Sequence, residues 1–126
     1  GESRKLLPVT VSKEDAVHNI GRAALLVAAL ARGEWDQLDL ATQDRLHQPA
    51  RARIFPAMPD IFAAAKSAGA LCAYLSGGGS TIAAFAIEHE DRIAAAMKDA
   101  ASARGYSGQT AITAPSDAGA VVVETA

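Results

Sequence analysis

The sequence predicts an α+β fold, an antiparallel β-sheet with helices packed mainly on one face. Segments with the apolar spacing of helices alternate with short apolar runs, in the order β-α-α-α-β-β-α-β-β over 126 residues. The runs flanking "SGGGS", and those flanking "APSDAG", are joined by short turn-rich stretches, so the members of each pair fall beside one another antiparallel. Half of the residues are apolar, only 5% are aromatic and alanine is abundant, a mixture that favours closely packed helices over an all-β core.

Each element has its own warrant. "RKLLPVTV", residues 4–11, reads as a short extended segment in which Pro8 limits any helix. Ser12 with Asp15 three residues on forms a capping-box-like start, and the helix it opens runs to about Arg32, with Gly33 as its stop. Val17, Ile20, Ala24, Val27 and the Leu25–Leu30 region leave little polar surface, so this helix is expected to be buried on most sides. A second helix is expected from Glu34 to about Leu46, with Trp35, Leu38, Ala41 and Leu46 near one face. Residues 47–59 carry three prolines and read as irregular, at most a helical turn. A third helix spans Pro59 to Ala68 and stops at Gly69. "ALCAYL" and "TIAAFAI" follow as strands joined by the glycine loop. A fourth helix spans roughly Glu90 to Arg104, with Ile93, Met97 and Ala100 facing inward. "QTAIT" (109–113) and "AVVVET" (120–125) are expected as final strands. No repeat or internal boundary appears, so residues 1–126 read as one domain.

Bulk properties exclude several functions. A formal charge of −2 offers no basic field for nucleic acid or an anionic membrane, and the longest apolar run, "AALLVAALA", is too short to span a bilayer. The lone Cys72 rules out a disulfide framework within the chain and fits a reducing, cytoplasmic setting. His18, His47 and His89 lack ligand spacing, so no metal site is expected, and no paired-carboxylate catalytic site either.

Two constellations remain. In Ser76-Gly77-Gly78-Gly79-Ser80-Thr81, three consecutive glycines exceed what a tight hairpin needs and suggest close approach by a ligand or another segment; a flexible turn explains them equally. Neither phosphate-binding glycine spacing is matched, and no helix start is aimed at the loop. "DRLHQPARAR", 44–53, sets Asp44, Arg45, His47, Arg51 and Arg53 at a helix-to-loop transition, where a guanidinium fork suits a carboxylate and a helix C-terminal cation is the plainer reading.

Taken together, residues 4–30, 44–61 and 68–85 resemble the C-terminal domain of homoserine kinases, a branch of the GHMP family of small-molecule kinases. The resemblance implies a ferredoxin-like arrangement of the sheet and helices. It implies that Ser76 to Thr81 are the family's third motif, a glycine-rich turn beside the phosphate-binding loop of an N-terminal domain. Arg4 and Arg51 match the two arginines that grip the carboxylate of the amino-acid substrate, L-homoserine. The family usually has Ala at Gly78, Pro at Ser80 and Tyr at Ala50, so the turn and the pocket wall depart from its pattern. ATP and Mg2+ would be held mainly by the N-terminal domain, whose P-x-x-x-G-L-G-S-S-type loop has no counterpart here, so the chain alone is expected to be inactive. The implied reaction is transfer of the ATP γ-phosphoryl to the homoserine hydroxyl, toward threonine, with self-association as a homodimer expected through exposed docking surface. Another GHMP kinase, or a non-catalytic amino-acid-binding module, stays open as an alternative.

Overall fold

Ser12 opens the first helix as its place ahead of Asp15 dictates. Its backbone is extended (φ −67°, ψ 151°) and its Oγ accepts the Asp15 N–H at 3.0 Å, satisfying one of the free donors of the first turn. The computed structural model describes residues 6–122. Helix α1 runs Lys13–Arg32 and ends at Gly33, whose φ of 69° lets Glu34 N–H bond back to Ala29 O at 3.0 Å. The same closure, with glycine at positive φ, ends α4 (Met58–Ser67) at Gly69 and α5 (Glu90–Ala103) at Gly105.

Between α1 and α4 the chain is more broken than one helix over 34–46. A 3-10 turn, Trp35–Gln37, leads into the short α2, Leu38–Ala41. There the Thr42 hydroxyl donates back to Leu38 O at 2.9 Å, a competition for the backbone carbonyl that weakens and bends helices. The chain restarts as α3, Gln48–Ala52, with Pro49 in its first turn.

Strands β1 (Cys72–Leu75) and β2 (Ile82–Phe85) pair antiparallel, from Cys72 opposite Phe85 to Leu75 opposite Ile82. Alternation turns Ala73 and Ala84 to one face, where they meet Ala65 and Ala68 of the α4 end and Ile93 of α5. Helices pack mainly there, with Phe62, Ala96 and Met97 filling in around the buried residues. Burying Ile93, 3% exposed, contributes about 2 kcal/mol. The opposite face carries Cys72, Tyr74 and Phe85 against Ala29 and Leu26 of α1 and Leu38 of α2. Helices plus an antiparallel hairpin make the fold α+β, as the sequence implies.

Two expectations are corrected. Residues 109–113 form no strand; they carry no regular structure and are exposed, with Ile112 at 55%. "QTAIT" puts Ala111 beside Ile112 instead of alternating apolar with polar, and a strand without a packed face lacks most of what stabilises it. Among the described residues, 6–11 and 120–122 likewise form no strand, and the rest of the expected first and last strands lies outside the described residues. Helix α1 is not buried on most sides: Val17, Ile20 and Val27 are 58%, 69% and 69% exposed, and Ala29 is its one buried residue. Its inward stripe passes instead through Asn19, Arg22, Leu26 and Ala29.

Candidate functional site

The 42–48 segment is organised by one carboxylate. Asp44 Oδ2 accepts the N–H groups of His47 (2.6 Å) and Gln48, which starts α3, while Oδ1 accepts from Asn19 Nδ2 of α1 at 2.6 Å. Asn19 Oδ1 in turn accepts the Arg45 N–H at 2.9 Å, so α1 and the loop are clamped through two side chains. Burial pushes the Asp44 carboxyl up, but the donors from Gln48, Asn19, His47 and Leu46 outweigh it and hold the group below the ordinary carboxylate value.

Gln48 then ties α3 to the sheet. Its Nε2 donates to Thr42 O at 3.2 Å and its Oε1 accepts the Leu75 N–H at 3.1 Å, at the last residue of β1 before the glycine turn. Arg51 follows one helical turn later. Its N–H bonds His47 O at 3.0 Å, and its carbonyl accepts from Ile54 (3.0 Å) and Phe55 (2.9 Å), which fixes its backbone on both sides. The side chain is only 4% exposed, yet Nε and one terminal nitrogen have no acceptor among the described residues. A buried guanidinium nitrogen without a partner is costly, and such an atom in a native fold marks a place where an acceptor belongs.

The glycine turn closes through Ser76 N–H to Thr81 O at 2.9 Å and Gly79 N–H to Ser76 O at 3.3 Å. Gly79 needs its lack of a side chain twice over: φ is 82°, and a Cβ there would lie 3.2 Å from Leu75 Cδ1. At Gly77 and Gly78 a Cβ would meet only open space. Among the described residues, nothing presses on those two.

Arg51, Gly77 and Gly78 line one cavity of about 650 Å3. Asn19, Arg22 and Leu26 of α1 supply another wall, and Tyr74 and Phe85, stacked with ring centroids 5.9 Å apart, supply an apolar one. Asp44 and His47 stand at the same cavity, the histidine Nδ1 3.5 Å from Asp44 Oδ1. The volume suits a small ligand, and apolar walls with a few convergent polar groups are the usual make-up of such sites. A smaller cavity of about 440 Å3 includes His18, Asp39, Arg45 and Lys66, but its charges are already matched, Lys66 to Asp39 at 3.1 Å and Arg45 to Glu14 at 3.0 Å. It makes no comparable demand for an anion.

Of the residues expected from sequence, the structure brings Arg51 together with Gly77 and Gly78; Gly79, Ser80 and Thr81 complete the turn, and Ser76 opens it. Arg4 lies outside the described residues. Asn19, Arg22, Tyr74 and Phe85 were not singled out from the sequence; the one available signal was helical spacing, since 19, 22 and 26 fall on one face of α1. Cys72 is fully buried and burial pushes its thiol up, the opposite of what a nucleophile needs. Among the described residues no three His, Cys, Asp or Glu side chains gather as a metal site, and no helix is long and apolar enough to cross a membrane.

Residues 26–105 match the family model described as "GHMP kinases C terminal". The chain belongs to that family. It is 43% identical over 121 residues to a homoserine kinase of Moorella thermoacetica, covering 96% of this chain and 41% of that protein. Against a homoserine kinase of Clostridium beijerinckii the identity is 34% over 123 residues, covering 98% and 41%. The crystal structure of homoserine kinase from Cytophaga hutchinsonii superimposes with a TM-score of 0.75 at 32% identity, over 82% of this chain and 33% of that one. The chain thus spans about two fifths of the length of the curated relatives it matches.

Proposed function

We propose that this domain is the substrate-binding half of a homoserine kinase, which transfers the γ-phosphoryl of ATP to the hydroxyl of L-homoserine on the way to threonine. The observation that carries the proposal is Arg51, a buried guanidinium with unmatched nitrogens, facing the same cavity as the glycine turn. Its fork would take the amino-acid carboxylate, and the fixed backbone on either side of it would hold the substrate in one orientation. Phosphoryl transfer depends on positioning and on stabilising charge more than on covalent help from the protein. The open faces of Gly77 and Gly78 leave room for a segment outside this chain and for the phosphate that segment carries. ATP and Mg2+ are assigned to that complementary N-terminal domain, consistent with the lack of any glycine-rich helix start here. A lone, buried Cys72, with no second cysteine in the chain to pair with, agrees with a cytoplasmic enzyme.

The test is steady-state kinetics of Arg51→Ala in the complete reading frame. KM for homoserine should rise roughly tenfold or more, the equivalent of losing about 1.4 kcal/mol of binding, while KM for ATP changes little. An unchanged homoserine KM removes Arg51 from the site.

A further inference from the structure

We propose that Arg22 of α1 is a further anion-gripping residue of this cavity, additional to the arginines that the sequence resemblance implies, and that it acts with Arg51 on the carboxylate of the amino-acid substrate. The inference rests on the functional reading above and extends it to a helix that the sequence motifs did not implicate.

Arg22 lines the cavity from the α1 side, between Asn19 and Leu26. Its Nε is closed off from solvent and, like the Arg51 nitrogens, has no acceptor among the described residues. The acids that could have neutralised it are engaged elsewhere. Among the described residues Asp44 is the one carboxylate lining the cavity, and its oxygens accept from Asn19, His47 and Gln48. Glu14 and Asp15 lie 3.0 and 3.8 Å from Arg45, and Asp15 also accepts from the Ser12 hydroxyl. Two guanidinium groups therefore line a cavity that has one carboxylate among the described residues, which leaves positive charge in excess and N–H donors unmet. An oxyanion resolves both at once. A carboxylate has lone pairs enough for donors from two sides, and a site with charged donors rejects an isostere that cannot satisfy them. The Asn19–Asp44 bond sets where α1 lies against α3, so it sets the spacing of the two arginines.

The test compares L-homoserine with its carboxamide, which keeps size and planar shape but lacks the negative charge and puts an NH2 donor in place of one acceptor oxygen. In the complete reading frame, kcat/KM is measured for both substrates in the parent protein, Arg22→Met and Arg51→Met, with thermal melts confirming that each variant folds. Arg22→Met should reduce the preference for the acid over the amide roughly tenfold. Arg22→Lys, which keeps the charge without the fork, should recover part of that preference, and it gives the same reading if the methionine variant does not fold. An equal loss on acid and amide means that Arg22 only supports the fold, and the proposal fails. A preference lost in Arg51→Met and intact in Arg22→Met overturns this assignment alone; a preference intact in both overturns the substrate reading as well.

Discussion

Replacing Arg51 by methionine should make the ligand-free protein more stable while removing its response to ligand. The side chain is 4% exposed, and two of its nitrogens are buried without acceptors. A buried polar group left unmatched costs about 1–3 kcal/mol, and methionine can occupy the same channel through the apolar packing with no polar atom to satisfy. The variant is therefore expected to gain about 1–3 kcal/mol in the absence of ligand, which raises Tm by roughly 4 °C per kcal/mol for a domain of this size. The parent protein should be stabilised by substrate instead, by about 2.7 kcal/mol at a hundredfold excess over Kd. The assay is a pair of thermal melts, with and without L-homoserine, at fixed buffer and salt. A variant that melts below the parent without ligand, or one whose Tm rises with homoserine as the parent's does, refutes the reasoning. On the proposed reading, this is stability given up at a binding site, where the fold tolerates an unmet charge so that a ligand can meet it.

The glycine turn offers a contrast between neighbours. Gly79→Ala forces a side chain into a left-handed conformation and against Leu75, at a cost of about 1–2 kcal/mol, whereas Gly78→Ala enters open space and should stay within about 0.5 kcal/mol; urea denaturation giving equal costs would sink the assignment. Asp44 should show in the acid limb of stability. Its folded value lies below the ordinary 3.8, so its contribution is complete above that pH and is lost as pH falls through the lower folded value. Asp44→Asn is expected to lose about 1–3 kcal/mol at pH 7 and little at pH 2, and an equal loss at both means the charge is not the source.

Much of the scaffold was legible because its signals are local. Ser12, Gly33, Gly69 and Gly105 act on donors and acceptors within a turn of themselves, so the ends of α1, α4 and α5 follow from a few adjacent residues. The hairpin was legible for the same reason: two short apolar runs and a glycine-rich turn bring adjacent chain together with little loss of loop entropy. Arg51 and the glycine turn stood out as motifs, although nothing in their spacing showed that they share a cavity.

What the sequence could not fix is which surfaces find partners. "QTAIT" satisfies a propensity rule and still forms no strand, since pairing depends on an edge and a face supplied from far along the chain. The apolar residues of α1 promised burial on several sides, yet the tertiary packing took the Leu26–Ala29 stripe and left Val17, Ile20 and Val27 in solvent. Arg22 reads in one dimension as another exposed helix charge; only the approach of α3 and the glycine turn, held by Asn19, Asp44 and Gln48, closes a wall around it. Caps and turns are decided among near neighbours in sequence, whereas burial and electrostatic environment are sums over distant segments, and those exist only once the chain has folded.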